Sequence, residues 1–96
     1  MSERVTPAPP ERVGDIQRRL AEGLARIDPH HRLLGRPVSF RVVDQQTLEI
    51  TYRDVAGITE AEVLGVKRAL GVECYCSVSP QTAETVTVRF VVRMKA

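Results

Sequence analysis

Residues 59–94, TEAEVLGVKRALGVECYCSVSPQTAETVTVRFVVRM, change their hydrophobic period at one glycine, and that change decides the fold. Before Gly71 the period is helical. Thr59 is placed to cap a first turn and Glu62 to reach back to it. Val63, Val66 and Leu70 recur at helical spacing, and Gly71 stands where a left-handed stop residue is wanted. After Gly71 the pattern alternates. Val72, Cys74, Cys76 and Val78 fall on one face, and beyond Ser79-Pro80-Gln81 come Val86, Val88, Phe90, Val92 and Met94. A short helix followed by a β-hairpin is the expectation.

Upstream the same order appears. Val13, Ile16, Leu20, Leu24 and Ile27 trace one stripe of an amphipathic helix, with Arg12, Arg18, Arg19, Glu22 and Arg26 on its other faces. Gly23 lies beside that stripe and marks close approach to a neighbouring element. Pro29 ends the helix by restricting Asp28. After the irregular stretch 28–37, Val38, Phe40 and Val42 point inward on one strand. A turn at Asp44-Gln45-Gln46 leads to Leu48, Ile50 and Tyr52 on the next.

The element order is therefore α-β-β-α-β-β, an α+β fold. Moving the last strand to the front gives β-α-β-β-α-β, so the chain is ferredoxin-like by circular permutation. This predicts a four-stranded antiparallel sheet with two helices packed on one face. The spatial order would be third, fourth, second, first strand. Residues 1–10 read as a flexible proline-containing tail. Residues 11–96 form a single domain of two αββ units, 11–54 and 59–94, in which Ile50-Thr51-Tyr52-Arg53 aligns with Val86-Thr87-Val88-Arg89.

At 96 residues the chain holds one domain. A formal charge of +2, from 14 basic and 12 acidic residues, is too small to imply nucleic-acid binding by itself, so arrangement must decide. No apolar run reaches membrane-span length, and the start Met1-Ser2-Glu3-Arg4 lacks the apolar core of a secretory signal; a cytoplasmic location is expected. Cys74 and Cys76, two apart on a strand, have Cα atoms about 6.6 Å apart and parallel side chains, so they are expected as thiols.

By alternation, the face of the sheet away from the helices carries Arg41, Val43, Glu49, Thr51, Arg53, Glu73, Tyr75, Thr87, Arg89, Val91 and Arg93. Arg41, Val43, Arg53, Tyr75, Arg89, Val91 and Arg93 are the candidate binding residues. Mixed valine and arginine suits a protein contact with a polar rim, including a twofold copy of the chain. The same arginines suit single-stranded RNA or DNA, although the stacking aromatics of such platforms are missing from the central strands. A solvated sheet face is the plain alternative.

The connection 28–37 is longer than the fold requires. It offers His30, His31, Arg32 and Arg36 to an anion or acidic partner, while Leu33 and Leu34 serve a structural loop as plugs for the core. His30, His31, Cys74 and Cys76 are zinc-ligand types, but their spacing fits no finger or ribbon, and the histidines read as surface residues. No metal or cofactor is expected. Neither a phosphate loop nor a nucleophile elbow is present, so an enzyme is not expected.

From Val38 to Val72 the strand pair, Gly57, the short helix and the ending Leu70-Gly71-Val72 resemble the BON domain pattern. That resemblance implies an α-β-β-α-β module of the kind found mostly in cell envelopes, attached to membrane or protein. The fourth strand and the missing signal sequence depart from it, and no site residue is carried over. The reading is a small non-enzymatic interaction and assembly domain, a homo-oligomer or the partner of another protein, with nucleic-acid binding as the alternative.

Overall fold

In the computed structural model of the chain, residues 9–93 are described, so residues 1–8 of the expected tail and Met94 lie outside the described residues. The elements are α1 (Pro9–Ile27), β1 (Val38–Asp44), β2 (Thr47–Val55), α2 (Glu60–Leu70), β3 (Cys74–Pro80) and β4 (Val86–Arg93). α1 takes in Pro9 and Pro10, both expected in the tail. Proline costs little there, because first-turn N–H groups have no intrahelical acceptor.

α2 has the predicted ends. Thr59 Oγ1 accepts from the Glu62 N–H at 3.2 Å, and the Glu62 carboxylate accepts from the Thr59 N–H at 2.8 Å. Gly71 closes the helix at φ 66°, ψ 19°, its N–H donating to the Lys67 carbonyl. A residue with a Cβ would be strained in that left-handed conformation.

The strands form one sheet in the order β1-β2-β4-β3, with every neighbour antiparallel. This is the order that the permutation argument requires. Its helix-side rows run Phe40–Ile50–Phe90–Cys76 and Val42–Leu48–Val92–Cys74 across all four strands. Ile16, Leu20 and Leu24 of α1 and Val66 and Leu70 of α2 cover them. Each such aliphatic or aromatic side chain contributes about 1.5–3 kcal/mol on full burial. Tyr52 and Phe90 meet edge to face, with centroids 6.4 Å apart at 90°. Burial pushes the Tyr52 phenol up to about 12, and the Cys74 thiol up to about 11. Both cysteines are free thiols.

The helices touch each other closely at Gly23. A Cβ there would lie 2.7 Å from the Ala69 Cβ, so the bare backbone of α1 is what admits α2. The edge strands are less covered than alternation implies. Val38, Val42 and Val78 point to the helix side yet are 37–49% exposed, because two helices cannot roof four strands to their margins.

Two bulges interrupt the ladder. One takes Val43 out of register between Val42 and Asp44. The other, between Tyr52 and Val55, extends β2 beyond the expected end at Arg53. Asp54 there has φ 60°, unusual for a residue with a side chain, and the extra residue returns Val55 to the core, fully buried.

Candidate functional site

The open face of the sheet is ordered by register. One row reads Arg41–Glu49–Val91–Tyr75, the next Ser39–Thr51–Arg89–Ser77. At one end of the first row Arg41 Nε donates to Glu49 Oε1 at 3.0 Å. That bond holds the Glu49 carboxyl below its ordinary range, with Arg89 adding to the effect, and raises Arg41. At the other end Tyr75 is 60% exposed beside the half-buried Val91. Val43 is exposed at its bulge, and Arg93, opposite Thr47, lies toward one end of the face. Arg53 stands toward the other end, next to the second bulge.

Around that second bulge the polar groups are tied together. Gln81 accepts from the Asp54 N–H at 2.9 Å and donates to the Asp54 carboxylate at 2.5 Å. The same Gln81 oxygen accepts from the Thr87 hydroxyl at 2.8 Å, and this explains why Thr87, expected on an open face, is buried. Arg36 Nη2 donates to the Asp54 carbonyl.

The connection 28–37 differs from expectation at His31, which is a core residue only 5% exposed and not a surface one. Its Nδ1 accepts from the Leu33 N–H at 3.2 Å, so Nε2 carries the proton and donates to the Glu62 carbonyl at 2.8 Å. Gly65 makes room: a Cβ there would lie 3.4 Å from the imidazole. Arg32 pairs with Glu62 at 3.1 Å, and His30 alone of the four points of interest in this loop remains exposed without a side-chain bond among the described residues. Burial of Glu62 opposes ionisation, but the Thr59 N–H and Arg32 outweigh it and hold the carboxyl below its ordinary value. Leu33 is buried and Leu34 partly so, as plugs of the core.

The structure thus gathers Arg41, Arg89, Val91 and Tyr75 on adjoining rows and separates them from His30 and His31. Arg36, assigned by sequence to the loop, meets Arg53, assigned to the face, at the Asp54 bulge. Gln81 and Asp54 carry that corner and were not singled out in the sequence; a glutamine in a turn gives no sign of a partner 27 residues away. Among the described residues no three His, Cys, Asp or Glu side chains are grouped to hold a metal, and no helix is long and apolar enough to cross a membrane.

No family model, curated protein or solved structure matches this chain. What the structure shows is an α-β-β-α-β-β chain with a four-stranded antiparallel sheet.

Proposed function

We propose that this chain is a small non-enzymatic interaction and assembly domain that associates with a second copy of itself through the open face of the sheet. The observation that carries the reading is the row Arg41–Glu49–Val91–Tyr75, charged at one end and aromatic at the other. Rotation about a twofold axis parallel to the strands lays Arg41 of one copy over Tyr75 of the other, a cation–π pairing made twice. Tyrosine and arginine, at the two ends of this row, are also residue types enriched in contact hot spots. A cytoplasmic setting belongs to the same proposal.

The nucleic-acid alternative draws less support. The central strands offer Thr51 and Arg89 where bases would need aromatic rings. Light scattering on a sizing column, with absorbance at 260 and 280 nm, separates the two. A dimer free of nucleic acid that Val91→Glu and Tyr75→Ala each convert to monomer is the expected result. A dimer indifferent to both substitutions sinks the face assignment. Bound nucleic acid released by salt reverses the ranking.

A further inference from the structure

At the corner where the connection 28–37 enters β1, a cleft of about 380 Å³ opens between β1 and the bulged end of β2. Arg36, Ser39, Thr51 and Arg53 line it together with Asp54. Ser39 and Thr51 are cross-strand partners on the open face, so their hydroxyls lie side by side. Arg36 already gives one guanidinium nitrogen to the Asp54 carbonyl, yet its Nε is buried with no hydrogen-bond partner among the described residues. Arg53 is exposed and makes no ion pair among the described residues. The one carboxylate in the cleft, Asp54, accepts from the Gln81 amide, which fixes its direction and leaves its charge in place.

From this arrangement we infer that the cleft is an oxyanion site for the phosphate group of a small phosphate monoester. The exposed Arg53 fork, the one Arg36 nitrogen that is neither bonded to Asp54 nor buried, and two hydroxyls offer more donors than the two oxygens of a carboxylate accept. The three terminal oxygens of a phosphate use them, and the two arginines together outweigh the single Asp54 carboxylate of the cleft. The volume suits a phosphate with a small body, at the lower end of ordinary ligand pockets. The frame is fixed before any ligand arrives. Asp54 is held at φ 60° by Gln81 on its N–H and carboxylate and by Arg36 on its carbonyl. A costly backbone conformation persists where its surroundings over-determine it, and such positions cluster at ligand clamps. This inference does not rest on self-association.

The test is an amide-resolved NMR titration of the full chain with inorganic phosphate and then glycerol 3-phosphate, at constant ionic strength, with chloride as control. Saturable shifts centred on Arg36, Ser39, Thr51, Arg53 and Asp54 are expected. Arg53→Gln, an exposed change that spares the fold, should weaken binding about tenfold, one charge-assisted contact. Thr51→Val gives a second variant independent of charge. Shifts that rise without saturating, that scatter over all arginines, or that survive both substitutions overturn the site. Tighter binding of a single-stranded oligonucleotide than of glycerol 3-phosphate at the same residues overturns the monoester assignment.

Discussion

The two helix-to-strand connections occupy equivalent places in the fold and are built by different means. From α2 to β3 the chain needs only residues 71–73, and what it needs from the sequence is backbone: a glycine at φ 66°. From α1 to β1 it uses residues 28–37 and is held by side chains. His31 bonds the carbonyl of Glu62 against Gly65, Leu33 enters the core, and Arg36 reaches the Asp54 bulge. The short connection merely turns the chain. The long one fastens the first half of the molecule to α2 and to the end of β2.

That difference can be broken first at His31. His31→Phe puts a somewhat larger ring there and leaves the Leu33 N–H without its acceptor and the Glu62 carbonyl without the imidazole donor, and should cost about 1–3 kcal/mol by denaturant unfolding. A loss near zero would mean that the long connection is held by its leucines alone. Gly71→Ala tests the short connection. Placing a Cβ at a left-handed position should cost about 1 kcal/mol, with no change in the amide signals around Gly65. If it cost more than His31→Phe, the contrast between side-chain and backbone fastening would be reversed. Arg32→Gln is the smallest change. Arg32 is partly exposed, so losing its pair with Glu62 should cost no more than about 1 kcal/mol and less at high salt. A larger, salt-insensitive loss would show that Glu62 depends on Arg32 as much as on Thr59.

The elements were legible because each has a local signature. The Thr59–Glu62 capping box, Gly71, and the alternation through Val86–Val92 depend on neighbours in sequence, and they place α2 and the hairpin correctly. The strand order followed from topology, since a hairpin fixes each outer pair and only the β2·β4 joint remained to be chosen. Gly23 was readable as a close approach for the same reason, being next to a known stripe. What escaped the sequence were long-range partnerships. His31 looks like a loop histidine until Gly65, a glycine inside a helix and 34 positions away, supplies the space for its ring. Thr87 is in phase with the open face, and only Gln81 folding over it explains its burial. The Asp54 bulge slips the phase of β2, so alternation ends the strand early.

The sheet's innermost joint has a consequence for how the molecule comes into being. β2 and β4 meet at the centre of the sheet, and until they do each has one open edge in its own hairpin. Residues 47–55 must therefore wait for residues 86–93, the last strand to be synthesised among those described. Contacts so distant in sequence slow folding, and a strand left waiting is an unprotected template. A nascent chain that has made β1, β2 and α2 presents the long apolar edge of β2 to whatever strand arrives first. In the cell that strand can be the β4 of another copy, so the joint that completes the monomer is also the point at which two chains can exchange halves.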